Sequence, residues 1–486
     1  MGRKIKFVLS DLHLGAGYAG AGGNCLEDFT VDEQLVRFVQ DITHESRTDK
    51  REIELIINGD FFEFLQVPAV DHFHPTTIYP PQAYLDSSEA ASVKRLSLII
   101  KGHEEVFNAL SDFMHIEPPQ RRITLIKGNH DVNLYWPRVK GRLREALGAS
   151  GSRSSLLLFA EKFVSREFIY VEHGHQQTEK MNAYPDHIDP RLPDDPTQLY
   201  YPLGSHFVIN FCNEAERRYA FVDNVKPLTA LVWFALQWDF EFGATMLARF
   251  IHHTPALAVS SYQPDDHLAL TTAELLQDLQ DQDKRRHMAG QYRHNPAFRQ
   301  QLHQQIRQYL ADAVITTHTP LLFSEPWPGS GDPLALGQAE QSQQQAALRH
   351  AAADIARREG AKVILFGHSH CPVCETLETG SLYLNTGCWP ERPALSNASA
   401  QTWQALFNHS RQLDDLPYRL PYGRLDYDDH NLPHAQLLDF ARNNTSLLEP
   451  DAHRLNTLAQ TLSRLTHPLK PFWSKLRLPP LTDQLP

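Results

Sequence analysis

The 486-residue chain (55.4 kDa) is 42% hydrophobic, enough for a real core in one large domain with insertions or in two to three ordinary domains. Its 46 Lys and Arg are outnumbered by 58 Asp and Glu, and no basic run offsets the net charge of -12, so nucleic acid is a disfavoured partner. Five cysteines, an odd number in so long a chain, argue against a disulfide framework and favour a reducing compartment.

The N-terminus and the longest apolar run predict a cytoplasmic protein. The segment MGRKIKFVLSDLH begins basic, but its apolar part is only about five residues long, too short for a signal peptide. A myristoylation signal would place Ser or Thr where this chain has Lys6. The longest apolar run, residues 227–238, is well below the ~20 residues of a membrane-spanning helix. We therefore expect no transmembrane segment.

Five short apolar runs each end at a polar cluster, which predicts five strands with functional tips. These runs are KIKFVLSDLH (4–13), EIELIINGDFFEF (52–64), RITLIKGNHD (122–131), EFIYVEHGH (167–175) and AKVILFGHSH (361–370). Continuous apolar runs suit strands buried on both faces, and amphipathic stretches such as 31–42 and 347–360 predict helices between them. The pattern predicts an α/β fold.

In open α/β sheets, ligand sites lie beyond the carboxyl ends of the strands. We therefore expect the polar groups that follow the five runs to meet: Asp11, His13, Asp60, Asn129, His130, Asp131, His173, His175, His368 and His370. Mixed nitrogen and oxygen donors suit Mn, Fe, Co, Ni or Zn rather than an all-oxygen calcium or magnesium site. A bridging carboxylate could hold two such metals ~3.5 to 4 Å apart, with a hydroxide placed to attack a phosphoryl centre.

The ordered series DLH, GDFFE, GNHD, HGH and GHSH resembles the motifs of the calcineurin-like metallophosphoesterases. The resemblance covers residues 4–190 and 350–395 and implies a β-sandwich core flanked by helices. It implies two divalent transition-metal ions, most commonly Mn. One would be held by Asp11, His13 and His370 and the other by Asn129, His173 and His368, with Asp60 bridging both. His130, oriented by Asp131, would stabilise the transition state or protonate the leaving oxygen.

Two interpretations of His130 and Asp131 remain open. A histidine beside the metals could supply a proton to a departing alkoxide, a contribution of about 10²- to 10⁴-fold. Alternatively, Asp131 could cap and begin a helix predicted over residues 132–147. The two roles can coexist.

Three further features near the motifs have their own predictions. His175 is expected beside the ligands or facing substrate, and Glu63 is expected to hold loop amides near the site. Cys371 and Cys374 could form part of a zinc or redox site, but a second pair of ligands is missing, and thiols packing as small apolar groups is the alternative.

Nearly two hundred residues separate His173 from His368, which predicts a structured insertion. We divide the chain into a first core part (1–190), a mostly helical insertion or cap (191–349), a second core part (350–395) and a C-terminal extension (396–486). Within these, we predict a helix with a capping box at Thr271 and Glu274, a helix over 295–314, a loop over 324–345, and helices over 432–444 and 455–466.

The insertion is rich in aromatic and basic side chains whose roles are open. One group could line an apolar substrate groove, touch a membrane surface, or pack the insertion on itself: Trp233, Phe234, Trp238, Phe240 and Phe242. Another group, which begins in the core, could bind substrate phosphates or form solvated helix faces: Arg138, Lys140, Arg142, Arg217 and Arg218.

The leading functional hypothesis is a two-metal hydrolase of phosphomonoesters, phosphodiesters or diphosphates, acting on a phosphorylated small molecule or a lipid-linked substrate. The family's serine/threonine phosphatases carry a G-D-x-x-D-R-G motif, whereas this chain has GDFFEFL, which argues against a protein phosphatase. The DLHLG opening and the helical insertion are similar to enzymes that split UDP-diacylglucosamine, although those have arginine where this chain has His130. A non-catalytic scaffold with the same fold is the hypothesis of another class, but it should have damaged ligands.

Overall fold

The computed structural model describes residues 4–18, 22–165, 168–178, 180–219, 221–222, 225, 230–253, 277–315, 333–392, 398–408 and 416–447. The predicted capping box at 271–274 and the predicted helix over 455–466 lie outside these residues.

The described strands form two sheets and confirm a mixed α/β fold. The strands are β1 (Lys4–Leu9), β2 (Glu52–Asn58), β3 (Arg121–Ile126), β4 (Leu157–Ala160), β5 (Phe163–Ser165), β6 (Ile169–Val171), β7 (Val363–Phe366), β8 (Val373–Thr376), β9 (Leu382–Asn385), β10 (Pro421–Tyr427), β11 (Pro433–Asp439) and β12 (Thr445–Ser446). The larger sheet has the order β12-β11-β10-β1-β2-β3-β4, and the smaller has the order β5-β6-β7-β9-β8.

All five predicted strands are present, and their pairing brings their carboxyl ends together in two groups. Strands β1, β2 and β3 are parallel neighbours in the larger sheet, with Val8 opposite Ile56 and Ile56 opposite Thr124. Strands β6 and β7 are parallel neighbours in the smaller sheet, with Val171 opposite Leu365. The polar residues that follow each strand therefore leave each sheet at the same edge.

The main core lies between the sheets, because apolar side chains of both form one buried cluster. Its members from the larger sheet are Val8, Ile56, Ile126, Leu425, Tyr427 and Leu437, and those from the smaller sheet are Ile169, Val171, Val363, Leu365 and Leu384. Helix Pro333–Glu359 covers the other face of the smaller sheet, where Leu348 and Ala352 pack against Ile364 and Phe366. Burial on both faces explains why these strands read as continuous apolar runs.

Helices before the predicted insertion are Asp32–Asp49, Gln82–Leu85, Glu89–Gly102, Glu104–Phe113 and Pro137–Ala146. Those described within it are Leu203–Phe207, Asn213–Glu216, Ala230–Trp238, Phe240–His253, Gln282–His294 and Pro296–Ile315. Helix Pro333–Glu359 continues beyond the predicted end of the insertion at residue 349, and Ala400–Asn408 follows the smaller sheet. The helix predicted over 295–314 is confirmed, and Asn295 caps it by accepting from the Ala297 N–H. The domain boundaries and the placement of the insertion as a cap stay predictions.

Three predictions of local structure were wrong. Residues 432–444 contain strand β11, not a helix, and β10 to β12 lie in the larger sheet beside β1, although they fall in the predicted C-terminal extension. The predicted loop over 324–345 is helical from Pro333 onward, because proline suits the first helical turn and the following Ala, Leu and Gln favour helix. The helix predicted from residue 132 begins at Pro137, after a 3-10 turn at Val132–Tyr135.

The aromatic residues of the insertion pack both within it and against a helix outside it. Trp233, Phe234 and Phe240 are buried. The Phe240 ring centroid lies 5.1 Å from that of Tyr292 in the insertion, whereas Phe234 stacks at 4.7 Å on Trp403 in the predicted C-terminal extension. Three buried rings cannot line an exposed surface, so they serve packing, although not of the insertion on itself alone. None of the described helices is both long enough and apolar enough to cross a membrane.

Candidate metal centre

The first predicted ligand of each motif lies two or three residues beyond the end of its strand. Asp11 follows β1, Asp60 follows β2, Asn129 follows β3, His173 follows β6 and His368 follows β7. This spacing lets the strands fix the direction of the chain, while the short loops turn the side chains toward a common region.

Five of the seven predicted ligands adopt a left-handed backbone conformation. Positive φ angles occur at Asp11 (53°), His13 (50°), Asp60 (48°), His368 (65°) and His370 (55°). This conformation is uncommon for residues other than glycine, and residues held in sparsely populated regions cluster at functional sites. The surrounding sheets therefore hold these loops in a conformation that their own preferences do not favour.

Two motif glycines are required by the close approach of ligand side chains. A Cβ atom on Gly59, which has a φ of 79°, would lie 2.4 Å from the His173 ring. A Cβ atom on Gly128 would lie 2.1 Å from Oδ1 of Asp60. Any larger residue at either position would displace a predicted ligand, which gives a steric reason for the glycine in GDFFE and in GNHD.

The first cluster joins Asp11, His13 and His370. Nε2 of His370 lies 3.2 Å from Oδ1 of Asp11 and 3.2 Å from Nε2 of His13. The Nδ1 atom of His13 lies 2.7 Å from Oε2 of Glu63. If His13 donates its Nδ1–H to Glu63, its Nε2 presents a lone pair toward the cluster, as a metal ligand requires.

The second cluster joins Asp60, His173 and His368, with Asn129 beside them. Nε2 of His173 lies 3.0 Å from Oδ2 of Asp60 and 3.2 Å from Oδ1 of Asn129. The other ring nitrogen, Nδ1, lies 2.9 Å from the Asn58 carbonyl oxygen, to which it donates. The His173 ring therefore also directs a lone pair at the cluster.

Asp60 connects the two clusters. Its Oδ1 accepts the His130 N–H at 2.8 Å, whereas Oδ2 is buried and faces histidine nitrogens. Oδ2 lies 3.9 Å from Nε2 of His13 and 3.0 Å from Nε2 of His173. Electron-pair donors this close together repel unless a proton or a cation lies between them, so the donor set fits divalent cations on either side of Asp60.

Electrostatics within the buried site point the same way. Burial would raise the pKa of Asp11, but the neighbouring His370 and His173 lower it to about 2. Burial would lower the pKa of His173, but Asp60 and Asp11 raise it to about 10. The buried carboxylates thus attract positive charge strongly, which a protonated histidine or a bound cation can supply.

The structure assigns the partner of His130 differently from the sequence. The His130 Nδ1 atom lies 2.6 Å from Oε2 of Glu63, the same oxygen that contacts His13. The Asp131 carboxylate instead accepts the Gly128 N–H at 2.6 Å and the Phe61 N–H at 2.9 Å. Asp131 therefore shapes the loops around Asp60 and does not orient His130. Its side chain does not cap the following turn either.

Glu63 combines the predicted role with one that the sequence did not reveal. Its Oε1 accepts the Leu65 N–H at 3.0 Å, which is the predicted loop contact, while Oε2 holds the two histidine rings. Burial would raise the pKa of Glu63, but His130 and His13 lower it to about 2. A third group of donors contains His13, Asp60 and His130, so His130 lies beside the metal ligands.

His175 lies beside the second cluster, next to two residues that sequence reasoning missed. Its ring centroid is 5.3 Å from that of His173 and 4.8 Å from that of His187, and both of its ring nitrogens are buried with no hydrogen-bond partner in the part of the chain that the structure describes. The Tyr184 hydroxyl donates to the Asn129 carbonyl oxygen at 3.0 Å. No spacing in the segment around Tyr184 and His187 marks it, because the contact forms only in the folded chain.

The cysteines do not belong to these clusters, although Sγ of Cys388 lies 3.7 Å from the His370 carbonyl oxygen, and two of the predicted basic residues form ion pairs. Within the described residues, the groups of three or more metal-ligating side chains contain no cysteine, and Cys374 is partly buried against the core between the sheets. Arg217 pairs with Glu214, and Arg218 pairs with Asp239.

Comparison with known proteins adds little to this geometry. No protein-family model matches the sequence, and no curated protein matches it. Among solved structures, the chain is similar to a dimetal phosphatase from Danio rerio, with 10% identity, a TM-score of 0.28, and coverage of 90% of this chain and 95% of that chain. We draw no conclusion about this chain from a similarity of that size.

Proposed function

We propose that this protein is a metal-dependent phosphoesterase that hydrolyses a phosphomonoester, phosphodiester or diphosphate bond with two divalent transition-metal ions. The observation that supports the proposal best is the position of Asp60, whose buried Oδ2 lies within 4 Å of histidine nitrogens from two separate donor clusters. A scaffold protein would have no need to keep both donor sets and the His130–Glu63 pair beside them.

Asp11, His13 and His370 would hold one cation, Asn129, His173 and His368 would hold the other, and Asp60 would contact both. When bound, two such cations act as Lewis acids on phosphoryl oxygens and lower the pKa of a coordinated water so that it can attack phosphorus. Mn is the ion we would test first, with Fe, Zn, Ni and Co as the other candidates for these nitrogen and oxygen donors.

His130 would protonate the leaving group. Its Nδ1–H is held by Glu63, so the imidazolium can donate the proton on Nε2 to the departing oxygen and remain as a neutral ring bonded to Glu63. The carboxylate stabilises the protonated ring before transfer and fixes its orientation. Substrates with strongly basic leaving groups, such as alkyl esters, should depend most on this step.

The proposal is tested by hydrolysis of p-nitrophenyl phosphate and bis-p-nitrophenyl phosphate. Metal-stripped protein would be resupplied with Mn, Ni, Co, Zn or Mg, beside an Asp60→Asn control. We expect metal-dependent turnover that the control lacks, and the ratio of the two rates separates monoesterase from diesterase activity. Absence of turnover on these substrates and on nucleotide and lipid-linked diphosphates, with metal bound, would contradict the proposal and favour a scaffold.

A further inference from the structure

The first helical segment of the predicted insertion places polar side chains in a buried position. This segment consists of Leu203–Phe207, a π-helical turn at Val208–Cys212, and Asn213–Glu216. Asn213 and Glu216 are both 2% exposed. Because burial of amide and carboxylate groups is unfavourable without compensating hydrogen bonds, their partners indicate what they do.

Both side chains contact the loop that follows Glu63. Asn213 donates its Nδ2–H to the Leu65 carbonyl oxygen at 3.1 Å. Glu216 accepts a hydrogen bond from the side-chain amide of Gln66 through Oε2, and Gln66 is itself buried. Two consecutive residues of the loop are thus bonded to two residues one helical turn apart.

The same loop holds the Glu63 carboxylate. The Leu65 N–H donates to Oε1 of Glu63 at 3.0 Å, and Oε2 of Glu63 contacts Nδ1 of His13 and Nδ1 of His130. The carbonyl oxygen of Leu65 is therefore held by Asn213, and its N–H binds Glu63. A continuous series of hydrogen bonds connects the insertion to the two histidine rings.

Glu216 and Asn213 also bury acceptor atoms that the loop does not use. Oε1 of Glu216 and Oδ1 of Asn213 are buried and have no hydrogen-bond partner among the described residues. Such groups are costly to bury, so their presence beside this loop favours a role in positioning it. A leucine at position 216 would keep most of the volume but would leave the buried side-chain amide of Gln66 without its acceptor.

We propose that Glu216 and Asn213 are positioning residues, which fix the Leu65–Gln66 loop and thereby hold Glu63 against His13 and His130. The effect of this positioning on catalysis rests on the proposed function, whereas the positioning of the loop does not. The insertion would then contribute to the active site through Glu63, which orients the proposed proton donor His130, in addition to any role in binding substrate.

The test compares four variants of the full chain. Glu216→Leu removes the contact, and Gln66→Met removes it from the other side if the first variant does not fold. Glu216→Gln keeps an acceptor for Gln66 and serves as the conservative replacement. Glu214→Leu is the matched control, because Glu214 lies on the same helix, is partly exposed and pairs with Arg217.

Two readouts are needed, one of which does not depend on turnover. The first is amide hydrogen exchange of the peptide covering residues 61–67 in metal-free protein. The second is kcat for an alkyl phosphodiester and for a p-nitrophenyl ester, whose weakly basic leaving group needs less proton donation. The thermal midpoint of each variant shows whether it is folded.

We expect Glu216→Leu to fold with a lower thermal midpoint, because the buried Gln66 amide loses its acceptor. It should exchange faster over 61–67 and lose about 10- to 100-fold in kcat per folded molecule on the alkyl ester, with a smaller loss on the aryl ester. Glu216→Gln should retain most of the activity, and Glu214→Leu should resemble the wild type. Unchanged exchange and unchanged kcat in Glu216→Leu would overturn the proposal. Lower stability with unchanged kcat per folded molecule would also overturn it. Faster exchange in a protein with no hydrolytic activity would support the positioning and refute the proposed function.

Discussion

The Oε2 atom of Glu63 lies 2.6 Å from Nδ1 of His130, and the same oxygen lies 2.7 Å from Nδ1 of His13. One carboxylate oxygen therefore orients both a predicted metal ligand and the predicted proton donor. Because both rings approach through Nδ1, both leave Nε2 as the atom available for chemistry. A change at Glu63 should affect metal binding and proton transfer together.

Glu63→Gln tests this shared contact. The amide keeps an oxygen acceptor but loses the negative charge that stabilises a protonated His130, so we expect kcat to fall by about 10- to 100-fold. The alkaline limb of the pH–rate profile should move to lower pH, since the protonated acid loses its counter-charge. Steady-state kinetics from pH 5 to 9 measure both effects. An unchanged profile would show that Glu63 does not act through His130.

His130→Ala separates proton donation from metal binding. We expect turnover of an alkyl phosphodiester to fall by about 10²- to 10⁴-fold, because the leaving alkoxide no longer receives a proton. The metal content, measured by mass spectrometry, should stay near that of the wild type, and the aryl ester should be less affected. Loss of metal with full specific activity per bound metal would identify His130 as a ligand instead.

Gly128→Ala tests the close packing beside Asp60. The added Cβ would lie 2.1 Å from Oδ1 of Asp60 and must displace the carboxylate or the loop. We expect overpacking to destabilise the fold by about 1 to 3 kcal/mol and to weaken metal binding by about 10- to 100-fold. Gly141→Ala is the control, since its Cβ would meet no atom within 4 Å. Equal metal affinity in the two variants would contradict this account.

Metal removal should destabilise the protein. Without cations, the buried carboxylates of Asp11 and Asp60 repel each other, and the cations bind only when the loops are folded. At a metal concentration of 100 times Kd, the free energy of unfolding should rise by about 2.7 kcal/mol. Denaturant titrations with Mn and with a chelator measure the difference, and Asp60→Asn should show a much smaller one. Equal stability of the two forms would indicate that this centre does not bind Mn.

His103 should make stability depend on pH at a distance from the metal ligands. Its Nδ1 lies 2.6 Å from Oδ1 of Asp32, and its Nε2 lies 3.5 Å from Oε2 of Glu27. The two carboxylate oxygens of Glu27 also accept the N–H groups of Gly15 and Gly17, in the loop that follows His13. Burial would lower the pKa of His103, but these carboxylates raise it to about 9.

A raised pKa means that the folded protein holds the His103 proton more tightly than the unfolded chain, whose histidine pKa is about 6.5. The stabilisation, at most about 3 kcal/mol, is full below pH 6.5 and is lost as the pH rises through 9. Urea unfolding of wild type and His103→Gln at pH 6, 7.5 and 9 measures it, with exposed His44→Gln as the control. Parallel pH dependences in all three proteins would contradict the assignment.

The strands that end in ligand motifs could be predicted from the sequence because two local signals coincide there. Apolar runs such as those before Asp60 and His368 mark strands buried on both faces, and a serine, glycine or glutamate followed by donors marks the end of each strand. Within each sheet the side chains share one edge because the strands are parallel, which follows from the fold class. The two edges meet only because both sheets pack on one core, which the sequence does not reveal.

Features that depend on distant parts of the chain could not be predicted. The loop after β2 lies against the loop after β3, and this contact places Glu63, rather than the adjacent Asp131, against Nδ1 of His130. The segment around Leu437 contains residues that favour helix, yet it pairs with β10 in the larger sheet. Tertiary pairing overrides local propensity at such a position.

The pairing of β1 with β10 has a consequence for the order of folding. Lys6 lies opposite Leu425, so the strand that leads to Asp11 is synthesised long before the strand that pairs with it. Until residues 421–427 have emerged from the ribosome, one edge of β1 has no strand to pair with, and exposed strand edges promote association with other chains. Contacts this distant along the chain also form slowly. We expect nascent chains arrested before residue 421 to aggregate or recruit chaperones and to bind metal only weakly.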